Sequence, residues 1–164
     1  MPDRILLERL AEELADLTPE ELGMAVRLID ALKRTRESPL AFIEESMQFQ
    51  YAGKEGSAIL HRMVVSHELM NRYHILHGGV TATFLDTALG HSVNMSQPNA
   101  RFVTQELSIH FLRPGVEGTL TCRTEIIHSG KNTVVAEAKV FDEKGRTVAA
   151  ATGIFFRFAS PENE

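Results

Sequence analysis

The chain opens with helical spacing of its apolar residues. Leu6, Leu10, Leu14 and Leu17 fall at i, i+4, i+8 and i+11, one stripe of an amphipathic helix. Thr18-Pro19-Glu20-Glu21 predicts a second start, with Thr18 as cap, Pro19 in the first turn and Glu21 closing a capping box. Leu22, Val26, Ile29 and Leu32 continue that helix towards the basic Lys33, Arg34 and Arg36, which suit a helix C-terminus. Ser38-Pro39 predicts one more short helix, running to about Phe49.

Gly53 and Gly56 mark a change of pattern. Residues 59–66 have strand character, and 71–79 form an irregular connection. Residues 80–95 predict one long helix whose apolar positions cover most of its circumference, so it is expected to be buried. After Pro98 the period becomes two, in four predicted strands at 102–112, 119–128, 133–141 and 147–158. Arg113-Pro114-Gly115, Ser129-Gly130-Lys131-Asn132 and Asp142-Glu143-Lys144-Gly145 separate them as turns, and short connections predict antiparallel neighbours. An antiparallel sheet needs one face covered, and the apolar helix is the available cover. The pattern therefore predicts an α+β domain at 57–160, a sheet wrapped over a central helix, behind a helical extension at 1–56.

Composition narrows this picture. The 164 residues suit one globular domain with an appendage. The single cysteine, Cys122, excludes an intramolecular disulfide and reads as a small buried residue. The N-terminus is charged and amphipathic rather than a signal peptide, and no apolar run is long enough to span a bilayer, so a cytoplasmic protein is expected. Residues 1–56 carry 7 Lys/Arg and 12 Asp/Glu, a net of 7 − 12 = −5, while 57–164 carry ten of each. A DNA-binding helical segment should have the opposite sign, so no nucleic-acid partner is expected.

Candidate chemistry gathers between Asn71 and Gly90. Gly78 and Gly79 sit where the loop enters the long helix, and lack a Cβ that would keep a ligand from the backbone N–H groups. Those groups belong to a helix N-terminus, which favours developing negative charge and could form an oxyanion hole. Asp86 interrupts the run Phe84-Leu85 and Ala88-Leu89, a costly place for a carboxylate that is neither hydrogen-bonded nor employed. Thr83 and Gly90, at i−3 and i+4, leave that face little bulk. Taken singly, a lone Asp in a helix is usually solvated and a lone His-Gly-Gly is usually a turn. His61 and His67 lack the spacing of a metal site with a third partner, so no metal or other cofactor is expected. Arg113, Lys131 and Arg157 are candidates for meeting phosphates, although each is more often a surface charge.

Asn71-x5-His77-Gly78-Gly79-x6-Asp86, followed by Arg113-Pro114-Gly115 and Ser129-Gly130-Lys131, resembles the hotdog-fold acyl-CoA thioesterases of the phenylacetate-pathway (PaaI-like) type. The resemblance covers about two thirds of the chain. It implies a hotdog fold and hydrolysis of a small or medium acyl- or aryl-CoA thioester to the carboxylic acid and CoA. Asp86 would activate water or attack the carbonyl itself, and Thr104 would hold the water or the carboxylate. Gly78, with Gly79 nearby, would donate N–H to the thioester oxygen, Asn71 would polarise the carbonyl and His77 would border the sulfur. Thr83 would belong to the substrate-binding surface. The family forms homodimers, often paired into homotetramers, with each site split between two protomers. This chain departs from the family pattern at His74, where glycine is common. A non-catalytic acyl-CoA sensor is the alternative within the same fold, and a dehydratase a more distant one.

Overall fold

The computed structural model describes residues 4–158. By compactness the chain divides into residues 1–46 and 47–164. The first unit holds α1 (Arg4–Ala15), α2 (Pro19–Arg34) and α3 (Phe42–Ser46). Thr18 caps α2 in a complete capping box with Glu21, as the sequence predicts. Arg34 Nε meets Glu45 Oε2 at 2.7 Å, and its Nη2 donates to the Glu45 carbonyl at 2.9 Å. Hydrogen bonds from Ser38 and then Arg34 hold the Glu45 carboxyl below the usual carboxylate range. The third helix starts later than Ser38-Pro39 suggests, because Glu44 closes onto the Ala41 N–H at 2.6 Å and fixes the start there.

The second unit contains β1 (Gln50–Glu55), β2 (Ala58–Val64), α4 (Gly78–Ser96), β3 (Arg101–Phe111), β4 (Thr119–Ser129), β5 (Thr133–Phe141) and β6 (Thr147–Phe158). All strand pairs are antiparallel, in the order β1-β2-β4-β5-β6-β3. The expected boundary at 56/57 moves to 46/47, because Gln50–Glu55 is a strand of this sheet. Gly53, with φ 109°, sits at a bulge and Gly56, with φ 62°, turns the β1–β2 hairpin. These two glycines punctuate a hairpin rather than a domain boundary.

α4 covers one face of the sheet. Its Phe84, Leu85, Ala88, Leu89 and Val93 are fully buried, each large side chain contributing roughly 2 kcal/mol by its burial. The sheet meets them with small residues, among them Ala136, Ala149 and Gly153. A Cβ at Gly153 would come within 3.2 Å of Leu89 Cδ1 and 2.7 Å of Phe155. The opposite side of α4, carrying Thr83, Asp86, Thr87 and Gly90, stays half-exposed in the single chain.

One expected pairing fails. β3 and β4 are consecutive yet not neighbours: β3 pairs with β6 at one edge and β4 lies between β2 and β5. Arg113-Pro114-Gly115 is therefore no hairpin turn but part of a strap crossing the end of the sheet. Leu112 and Arg113 N–H both donate to the Val148 carbonyl, and Val65 N–H donates to Gly118. No helix among the described residues is long and apolar enough to cross a membrane.

Candidate active site

The loop from Asn71 to His77 is held by its own backbone. Asn71 N–H donates to the Ile75 carbonyl, His74 N–H to the Asn71 carbonyl and His77 N–H to the Leu69 carbonyl. Leu76 N–H reaches the strap at Gly115 in 2.7 Å, which brings Arg113-Pro114-Gly115 against the loop. His74 has φ 55°, in the left-handed region that favours glycine. The position therefore has a backbone reason for glycine, and His74 occupies it with its ring stacked on His67 at 6.0 Å.

The two glycines lie inside the helix rather than before it, since α4 starts at Gly78 and not at residue 80. His77 is the N-cap, and its Nδ1 accepts the Gly79 N–H at 2.9 Å. This removes Gly79 as a second donor to a ligand. Val80 and Thr81 N–H both turn back to the His77 carbonyl, and among the described residues Gly78 N–H has no acceptor. An Nδ1 that accepts a hydrogen bond carries no proton, so neutral His77 carries its N–H at Nε2.

Asn71 is oriented by the same kind of constraint. Its side-chain oxygen must be the atom that accepts the Tyr73 N–H at 2.8 Å, which leaves the amide NH2 as its unpaired end. Asn71 and Gly78 line one groove of about 460 Å³ with Thr81, Phe111, Arg113 and Pro114. Arg113 Nη1 donates to the Thr147 carbonyl at 3.0 Å, which anchors the guanidinium at this end of the sheet.

Asp86 and Thr104 form a separate pair. Thr104 Oγ1 donates to Asp86 Oδ1 at 2.7 Å, from β3 onto the half-exposed side of α4. Thr104 pairs across the sheet with Phe155, a buried residue, so its side chain lies on the helix side. Neither residue lines the Asn71–Gly78 groove. Eight residues separate Gly78 from Asp86, about 12 Å along the axis at 1.5 Å per residue. The predicted site residues thus fall into two groups within one chain. Thr83, expected at the substrate surface, gives its hydroxyl proton to the Gly79 carbonyl at 2.9 Å.

Two features were missed in the sequence. The sequence pattern places Phe111 only within a strand, yet its ring atoms would lie 3.8 Å from a Cβ at Gly78. His61, which sequence spacing raises only as a metal ligand, is fully buried with Nε2 at 2.9 Å from His91 Nδ1. Burial, followed by the nearby His91, pulls His61 down from 6.5 to about 4. Phe49 stacks on the His61 ring at 5.2 Å, and among the described residues the buried His61 Nδ1 has no hydrogen-bond partner. Burial pushes the Cys122 thiol up, leaving it inert as a nucleophile. Among the described residues no cluster of three or more His, Cys, Asp or Glu could hold a metal ion.

Comparison with known proteins identifies the family. Residues 73–149 match the Thioesterase superfamily. The acyl-coenzyme A thioesterase PaaI of Escherichia coli is 36% identical over 100 residues, 60% of this chain and 69% of that protein. The medium/long-chain acyl-CoA thioesterase YigI of Salmonella typhimurium is 30% identical over 95 residues, 49% of this chain and 61% of that protein. A Bacillus halodurans protein whose crystal structure was solved with CoA superposes with a TM-score of 0.83 at 34% identity, covering 90% of this chain and 99% of that one. The hotdog architecture, the loop-to-helix motif and these relatives lead to one conclusion: the chain belongs to the thioesterase superfamily.

Proposed function

We propose that the protein is an acyl-CoA thioesterase that hydrolyses a small or medium acyl- or aryl-CoA thioester to the carboxylic acid and CoA. The observation that carries this reading is the unpaired Gly78 N–H at the start of α4, with the Asn71 amide NH2 in the same groove. Two donors lining one groove suit a thioester oxygen as it gains negative charge. The helix dipole at Gly78 adds to both. The names of the PaaI and YigI relatives and the CoA bound to the Bacillus halodurans protein support the same substrate class.

Asp86 supplies the attack, either by taking a proton from water or by adding its own oxygen to the carbonyl carbon. Thr104 holds Oδ1, which leaves Oδ2 for that step. His77, with its proton on Nε2, borders the departing sulfur. The roughly 12 Å between Gly78 and Asp86 is too long for both to reach one carbonyl. A homodimer removes the difficulty if Asp86 and Thr104 of one protomer face Gly78 and Asn71 of the other. The edge strand β3, next to the open side of α4, is a suitable seam for it, and such dimers can pair again into tetramers.

Steady-state thiol release from hexanoyl-CoA and phenylacetyl-CoA tests this reading. Asp86→Asn is expected to lower kcat by roughly 10²- to 10⁴-fold with the oligomer intact. Wild-type turnover in the Asp86→Asn variant would sink the mechanism. Tight binding of both thioesters without any turnover by the wild type would favour the non-catalytic sensor instead.

A further inference from the structure

Phe111 is an aromatic ring that the fold does not need as core. It is 59% exposed, so its burial contributes little to stability. It is the last residue of β3 and pairs with Ala149. Ala149 is fully buried under α4, so Phe111 also points to the helix side of the sheet. Its ring atoms Cε1 and Cζ would be 3.8 Å from a Cβ at Gly78, ordinary van der Waals range. The same strand thus sends a hydroxyl to Asp86 from Thr104 and a ring to Gly78 from Phe111.

Among the described residues, Gly78 N–H at the α4 entry has no acceptor, whereas His77 takes Gly79 N–H and the His77 carbonyl takes those of Val80 and Thr81. In open solvent water would occupy it, and its attraction for a developing oxyanion would be weakened by the high dielectric. A ring against Gly78 offers that N–H no acceptor and keeps solvent from one side.

Resting on the thioesterase reading above, we infer that Phe111 is a positioning residue that screens the Gly78 N–H from water, so that the thioester oxygen meets it in a low-dielectric surrounding. The effect belongs to the transition state, where charge gathers on that oxygen, and therefore to kcat rather than to substrate affinity. It is also independent of the thiol, because the oxygen is common to every thioester.

The test compares wild type, Phe111→Ala and Phe111→Leu on hexanoyl and phenylacetyl thioesters of CoA and of the short thiol N-acetylcysteamine. Phe111→Ala is expected to lose roughly tenfold in kcat with both thiols, with KM little changed, a smaller loss than deletion of an oxyanion donor. Phe111→Leu, which keeps apolar bulk, is expected to recover most of it. Unchanged kcat in Phe111→Ala, or a loss confined to KM for the CoA esters, overturns the inference, the latter because the ring then lines the thiol channel. A loss shared by both variants with a lowered Tm or an altered gel-filtration profile also overturns it, as a packing role. These failures leave the thioesterase reading standing. A wild type that turns over none of the four esters sinks that reading instead.

Discussion

At the scale of single residues, the site is defined by which hydrogen-bonding atoms are already spent. Asn71 has its oxygen committed to Tyr73 N–H, so only its NH2 is available to a substrate. Asn71→Asp separates the two roles, because a carboxylate still accepts the turn N–H but has no donor and brings a negative charge beside the developing oxyanion. The variant is expected to fold as wild type by circular dichroism and to lose roughly 10²- to 10³-fold in kcat, the usual cost of one oxyanion donor. Gly79, which the motif suggested as an auxiliary donor, is spent on His77, and Thr83 on Gly79. Sequence spacing names residues but cannot say which of their atoms remain free. His74 shows the converse: its departure from the family's glycine is visible in sequence, while its left-handed backbone is visible only in the structure.

At the scale of elements, α4 is joined to the sheet by buried polar pairs as well as by its apolar face. Ser92 and Thr124 hydroxyls meet at 2.5 Å, and His61 on β2 meets His91 on α4 at 2.9 Å. His61 titrates at about 4 when folded against 6.5 as its ordinary value. Between these values the unfolded chain binds the extra proton and the folded chain does not, so stability rises with pH across this window. The His61 contribution is complete above pH 6.5 and is lost as pH falls towards 4. The loss reaches about 3 kcal/mol at the lower end, taking 1.36 kcal/mol per pKa unit. Urea unfolding at pH 4.5 and pH 7 should show this slope in wild type and a shallower one in His61→Phe. Equal slopes would remove the coupling. The pattern of alternation found β3 to β6 to within a residue or so at most ends but missed β1, whose run is broken by Gly53. It also misread the strap, because Arg113-Pro114-Gly115 has turn composition whether the chain reverses or crosses.

For the whole molecule, the proposed function divides each site between two chains. Co-expressed Asp86→Asn and Asn71→Asp subunits make the sharpest test. In a heterodimer one site carries both lesions and the other carries neither, as two-fold symmetry dictates. Purified heterodimer is expected to recover about half of wild-type kcat per dimer, while both parent homodimers stay inactive. No recovery would mean that each chain supplies a complete site. The helical segment at 1–46, with 6 Lys/Arg and 11 Asp/Glu and so a net of 6 − 11 = −5, enters no step of this scheme.

Local chemistry is legible along the chain. The capping box at Thr18 and the two-residue period of the strands are set by neighbours within a few positions, and the motif residues Asn71, Gly78, Asp86 and Thr104 are read directly as residues. Tertiary structure decided what depends on residues far apart in the chain. It paired β3 with β6 rather than β4, joined Thr104 to Asp86 across 18 residues and set Phe111 against Gly78. It also kept Asp86 and Gly78 apart on one helix, because eight residues at 1.5 Å each span about 12 Å and a helix cannot fold back on itself. Motif spacing counts residues along the chain, whereas catalysis depends on distances through space, and only the packing of α4 on its sheet converts one into the other.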